Sequence, residues 1–296
     1  MSRRAGRITP TGRTVVVTGA SSGLGRDAAL HLERIGFQVF AGVRATADGE
    51  RLLARSSAGR LHPLRVDVTD PDQIRQAVDE VARQLGGVGL WGLVNNAGVV
   101  QPGPLECLPG EQLRRQFETN VIGQVETIQG YLPLLRAARG RIVNVTSGLG
   151  RVALPYLGAY AAAQFAKEAI SDSLRRELRP FGVTVSVVQP GAIRTPIWAK
   201  LDRAGAELID GVPEPTASLY RDPFRAFLHR NARQVQRSRT TSQQYARTVA
   251  RALTAARPRT RYPVGSDVRL ASLAARLLPD SLIDRNLAAL VRPRDG

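Results

Sequence analysis

The chain has 296 residues, 43% of them hydrophobic, enough for one large α/β domain with a complete core and nothing that forces a second. Its net charge of +17 rests on arginine, because Lys167 and Lys200 are the only lysines, and with 5% aromatic residues to stack on bases this skew argues against a nucleic-acid partner. A lone cysteine, Cys107, excludes an intrachain disulfide, no apolar run reaches the roughly 18 residues that cross a bilayer, and the basic start MSRRAGRITPTGR lacks the apolar core of a secretory signal; a cytoplasmic domain behind a basic flexible tail (1–12) is expected.

Thr14 to Thr18 is a β-branched run that stops at Gly19, as a buried parallel strand does. The loop TGASSGLG follows, then a helix from Leu24 to Ile35 with Leu24, Ala28, Leu32 and Ile35 on one face. Strand, glycine turn and helix is the setting in which a backbone approaches a pyrophosphate and a helix N-terminus offers its N–H groups, so Gly19, Ser21, Ser22, Gly23, Leu24 and Gly25 are candidate cofactor contacts. A plain tight turn gives the same pattern.

A second strand, Gln38 to Val43, ends at Arg44, where NAD-preferring folds often carry an acid. A guanidinium there would pair with a 2′-phosphate, which favours NADP, with NAD or a merely solvated arginine as the alternatives. The third strand, Leu61 to Val66, leads to Asp67 and Val68; Asp67 either bonds an adenine amino group or ends its strand. Asp70 caps the helix Pro71 to Leu85.

The fourth strand, Leu90 to Val94, runs into Asn95-Asn96-Ala97-Gly98, whose side chains can tie the strand to its neighbours and line a cofactor floor, or simply form a turn. A long helical stretch from Gly110 to Leu135 contains Asn120 within FETNVIG, and a polar amide there must bond a backbone carbonyl or water, or open a kink. The fifth strand, Arg141 to Val145, delivers Ser147 to its C-terminal end. The helix Ala159 to Leu178 brings Tyr160 to the same edge, with Gln164 one turn on and Lys167 two turns on. Lys167 is expected on an exposed face, with replacement of a missing active-site charge as the other reading.

Val183 to Val188 is a sixth strand ending at Pro190-Gly191. Between 196 and 240 strand signals are absent and Pro213, Pro215 and Pro223 interrupt helical runs; apolar residues such as Trp198, Tyr220, Phe224 and Phe227 could line a pocket. A helix from Ser242 to Ala256, a strand from Arg261 to Val264 and amphipathic segments at 269–278 and 280–290 complete the chain. Residues 221–261 hold eleven arginines against the single acid Asp222, a net +10 that suits an anionic substrate, a carrier-bound substrate or an anionic membrane surface; ordinary solvation is the plainest account.

TGASSGLG, NNAG, FETNVIG, the Ser147–Tyr160 spacing and PGAIRT, in this order, resemble the classical short-chain dehydrogenase/reductase family. The run from Gly140 to Trp198 looks most like its retinol- and hydroxysteroid-dehydrogenase-like branch. The resemblance covers about residues 12 to 200 and implies a Rossmann-type doubly wound parallel sheet, a single domain over 13–296 with a small helical substrate lid at about 196–240 and C-terminal helices over 269–290. It implies an oxidoreductase on a lipophilic small molecule, no metal, and a homodimer or homotetramer. By the same likeness Asn120 would hold a relay water, Ser147 would bond the substrate carbonyl and Tyr160 would be the acid/base. Pro190, Gly191, Ile193 and Thr195 would close over the nicotinamide. The lysine that would bond the nicotinamide ribose and depress the tyrosine pKa is Gln164 here. That exchange leaves open a second reading, a cyclase, dehydratase or isomerase of secondary metabolism without net redox, and a third, a non-catalytic binding protein.

Overall fold

The computed structural model describes residues 8–288; residues 1–7 of the basic tail, and 289–290 of the last expected helix, lie outside the described residues. Ile8 is already docked, its amide donating to the Thr254 carbonyl at 2.8 Å.

Seven strands form one wholly parallel sheet: β1 (Thr14–Val17), β2 (Gln38–Val43), β3 (Leu61–Arg65), β4 (Gly92–Asn95), β5 (Arg141–Val145), β6 (Thr184–Pro190) and β7 (Arg261–Val264). The order is β3-β2-β1-β4-β5-β6-β7. These strands are short apolar runs without polar alternation because both faces are covered. Val15, Val17, Val39 and Val143 pack on one face under α1 (Gly23–Arg34) and α9 (Ser242–Thr254). Val16, Phe40, Leu93 and Ile142 pack on the other under α3 (Pro71–Leu85) and α5 (Gly123–Ala137). After β3 the chain returns to lie beside β1 as β4, and this reversal opens a crevice at the carboxyl ends of the strands.

Local chemistry sets several boundaries. Asp70 caps α3 by accepting from the amides of Asp72 and Gln73, with Pro71 as the first helical residue. Thr241 and Gln244 form a reciprocal capping box on α9. The helix α2 (Thr46–Leu53) has no counterpart in the sequence reading, since a short segment interrupted by Gly49 carries little periodic signal.

The helix expected from Gly110 to Leu135 is divided: α4 (Gly110–Phe117) passes through a π-helical turn, Glu118–Ile122, into α5. The lid is more helical than its prolines suggest, because Pro213 and Pro215 lie between α7 (Ile197–Asp210) and α8 (Thr216–Arg237), with Pro223 accommodated inside α8. The remaining helices are α6 (Gly158–Glu177), α10 (Ser266–Leu277) and α11 (Asp280–Leu287).

Candidate active site

The glycine turn between β1 and α1 is built for close backbone approach. Gly19 has φ +65, and a Cβ there would stand 2.8 Å from the Ala97 α-carbon. A Cβ on Gly25 would collide with the Gly19 carbonyl oxygen, so neither position tolerates a side chain. Ser22, the residue before α1, makes no side-chain cap bond, which leaves the first-turn amides directed at the crevice; Ser21 and Ser22 are exposed at its mouth and Leu24 packs on the core. Arg44, exposed just beyond β2, makes no ion pair among the described residues. This fits a dinucleotide: open N–H groups for a pyrophosphate and a free guanidinium at the end of β2.

The end of β4 is held from three sides. The Thr18 hydroxyl accepts from the amides of Asn96 (3.0 Å) and Ala97 (3.1 Å), and Asn96 donates to the carbonyls of Thr18 and Gly19. The Tyr245 hydroxyl completes this lock on Asn96 Oδ1 at 3.0 Å. Tyr245, which arrives from 149 residues away, is absent from the sequence candidates, and NNAG does not reveal which of its two amides faces the turn. Asn95 instead faces the sheet, bonding Asn144 Oδ1 at 3.0 Å, and Asn144 bonds Ser171 on α6. Past Gly98, Asn120 spends both side-chain atoms on Val99, accepting from its amide at 2.8 Å and donating to its carbonyl at 3.0 Å. A relay water would therefore have to be held by the Asn120 backbone carbonyl. Asp67 accepts from Thr69 through its amide and hydroxyl, and Val68 is buried with its carbonyl against Gly123.

Ser147, Tyr160 and Gln164 meet at the carboxyl edge of β5. Ser147 follows the strand in an extended conformation and its Oγ accepts from the Leu149 amide at 3.2 Å. Burial raises the Tyr160 phenol above its ordinary range, while hydrogen bonding from Ser147 and Gln164 draws it back. Gln164 is 3% exposed and its Oε1 has no partner among the described residues.

Lys167 departs from expectation. It is 2% exposed rather than on a solvated face, because its turn of α6 looks inward. Among the described residues its amine makes no hydrogen bond or ion pair, with Tyr160 or with any other group. Burial pushes it down to about 7, against the opposing field of Glu168.

Glu168, missed in the sequence, is the polar hub beneath the site. Its carboxylate accepts from Thr146 on the segment after β5, from Gln189 on β6 and from Arg261 on β7, each at 2.8 Å. Arg261 also pairs with Asp172, and Arg221 and Arg225 pair with Glu214 and Asp210, so part of the arginine cluster is structural. The loop after β6 is braced by Asp267, which accepts from the Ala192 amide at 2.9 Å, and by Trp198, whose indole donates to the Ile193 carbonyl at 2.6 Å. Gly191 donates to Val264, and Thr195 comes within 3.5 Å of a Cβ position on Gly23, so this loop closes over the glycine turn.

The lid has its own apolar core of Leu157, Leu201, Ile209, Phe224, Phe227 and Leu228. Leu149 and Tyr156, from the stretch between Ser147 and Tyr160, pack against it. Tyr156 has φ +65, uncommon for an aromatic residue, and its ring lies 5.3 Å from both Phe224 and Phe227.

The family model described as short chain dehydrogenase matches residues 13–205. The chain belongs to this family. Among similar short-chain dehydrogenases is a 3-amino-tetrahydro-pyrrolizinone reductase of Xenorhabdus hominickii, 43% identical over 274 residues, 93% of this chain and 94% of that one. Retinol dehydrogenase 5 of Mus musculus is 38% identical over 94% of this chain and 89% of its own length. A short chain dehydrogenase from Burkholderia cenocepacia, solved in complex with NADP, is 25% identical with a TM-score of 0.71, covering 97% of this chain and 100% of that chain. As a member of a family that binds nicotinamide cofactors, with reductases and dehydrogenases as relatives, the protein is a carbonyl/alcohol oxidoreductase acting on a small molecule.

Proposed function

We propose that the protein is an NADP(H)-dependent reductase of a carbonyl group on a lipophilic small molecule, with Tyr160 as the acid. The arrangement that supports this reading is Tyr160 beside Ser147 and Gln164 at the carboxyl edge of the sheet, with desolvation raising its phenol above the ordinary range. A phenol raised above its ordinary range carries its proton at neutral pH and is available to protonate a developing alkoxide. The nicotinamide, when bound, supplies the hydride.

Ser147 polarises the carbonyl by donating to its oxygen, and Tyr160 then gives that oxygen its proton. Gln164 favours the phenolate left behind by hydrogen bonding rather than by charge, a weaker support than an ammonium would give. Arg44 supports the choice of NADP, and the aromatic lid over the Ser147–Tyr160 loop supports a lipophilic substrate. The relatives, a 3-amino-tetrahydro-pyrrolizinone reductase and a retinol dehydrogenase, support a small organic carbonyl or alcohol as substrate.

The test is NADPH oxidation with a panel of lipophilic ketones and aldehydes. Tyr160→Phe is expected to lower kcat by at least about 100-fold. Gln164→Lys is expected to raise it by roughly 10-fold or more, since a nearby cation lowers a phenol pKa by about 1 to 3 units. If neither change alters turnover, Tyr160 is not the acid.

A further inference from the structure

We propose that Asp267, on the first turn of α10, is a positioning residue for the loop that covers the nicotinamide, acting through the backbone of Ala192. Its Oδ2 accepts from the Ala192 amide at 2.9 Å, across 75 residues of chain. Ser238, just past α8, donates to the Ala192 carbonyl and itself accepts from the Thr240 amide at 3.2 Å. Both main-chain polar groups of one loop residue are thus gripped by side chains from two other segments, the root of α10 and the end of the lid.

The carboxylate has a seat built for it. A Cβ on Gly191 would stand 2.2 Å from Asp267 Oδ2 and 2.4 Å from its Oδ1, and a Cβ on Gly265 would stand 2.2 Å from Oδ1. Gly191 does not take a positive φ, so it is the space for the carboxylate, not backbone freedom, that calls for glycine there. The seat is not the most stable filling of that space. Oδ1 is buried with no donor among the described residues, and an unmatched buried acceptor is unfavourable. An apolar side chain would avoid that cost but could not hold the Ala192 amide, so the hold on the loop is what the carboxylate supplies.

The loop transmits this hold along its length. Gly191 donates to the Val264 carbonyl at 3.0 Å, Trp198 fixes the Ile193 carbonyl, and Thr195 lies against the glycine turn at Gly23. Ile193 and Thr195, the two residues read as reaching the nicotinamide, follow Ala192 directly or within one turn, so a shift of Ala192 moves both. The same turn of α10 sets Val268 against Gly148, where a Cβ would stand 3.1 Å from it. One helical turn therefore registers the nicotinamide loop against the turn that carries Ser147.

This role of Asp267 rests on the loop after β6 covering the nicotinamide, and the two fail differently. Calorimetry with the full chain measures binding of NADPH and of adenosine 2′,5′-bisphosphate, which lacks the nicotinamide end. Asp267→Ala is expected to weaken NADPH at least about 5-fold while the bisphosphate stays within about 2-fold. Asp267→Asn keeps an oxygen for the Ala192 amide and should restore NADPH to within about 2-fold of wild type. Hydrogen exchange without ligand should speed at the Ala192 amide in Asp267→Ala and not in Asp267→Asn. Should Asp267→Ala fail to fold, Ser238→Ala makes the same comparison from the Ala192 carbonyl, with a loss of about 3-fold or more expected for NADPH alone. Unchanged NADPH affinity in the folded variants, equal loss of both ligands, or an asparagine as damaging as alanine overturns the role of Asp267. A wild type that binds the bisphosphate as tightly as NADPH removes the nicotinamide cover itself, and the role of Asp267 with it.

Discussion

Replacing Lys167 by methionine should stabilise the protein, and more so in acid than in alkali. Methionine keeps the unbranched shape of the stem and removes the amine, which is buried without a hydrogen-bond or ion-pair partner among the described residues. Burial lowers that amine from the usual 10.5 of lysine to about 7. Because the folded-state pKa is depressed, the unfolded chain binds more protons throughout the window from about 7 to 10.5, and stability rises with pH across it. At about 1.4 kcal/mol per pH unit the full penalty approaches 5 kcal/mol below pH 7, and it shrinks to about 2 kcal/mol near pH 9. Urea unfolding of wild type and Lys167→Met at about pH 6 and pH 9 isolates this group, since all other titrations cancel in the difference. The stabilisation should be about 2 to 3 kcal/mol larger at the lower pH. An equal effect at both pH values would refute an unpaired buried amine, because a pure packing change has no such dependence.

Other outcomes follow from single groups. Arg44→Ala should weaken NADPH binding by at least about 10-fold while NADH changes little, read by fluorescence titration; equal loss of both would remove the 2′-phosphate from its role. Glu168→Ala leaves Thr146 and Gln189 without their acceptor and Arg261 with Asp172 as its remaining acid, and chemical denaturation should show a loss of about 2 to 3 kcal/mol. A loss under about 1 kcal/mol would mean that the hub contributes packing alone. Tyr245→Phe leaves Asn96 Oδ1 without its donor, a cost of about 1 to 2 kcal/mol, and should loosen dinucleotide binding through the glycine turn; unchanged stability would show that water replaces the hydroxyl.

The parallel sheet was legible because its strands are apolar on both faces and each is punctuated by turn residues, as at Gly19 and Asp67. The cap at Asp70 and the strand at Arg261–Val264 were equally plain. The break at Asn120 was visible only as a polar residue in an apolar helix, not as a π-helical turn, since the bonds that hold it go to Val99. Lys167 was misplaced for a related reason: helical spacing gives its angle on α6 but not what lies opposite, and a lysine is normally solvated.

The sequence by itself determined the order of elements and the glycine turn, and it placed Ser147 at a strand end with Tyr160 and Gln164 one turn apart on the helix that follows, since these depend on local patterns. Only the tertiary structure decided that Asn96 rather than Asn95 locks the turn, that Glu168 joins β5, β6 and β7, and that Lys167 is buried beside the site. Those outcomes depend on partners 21 to 149 residues away, as in the pairing of Gln189 with Glu168 and of Tyr245 with Asn96. Local patterns encode which face of an element is apolar; which polar group a buried amide or carboxylate meets is fixed only when the sheet brings distant strand ends together.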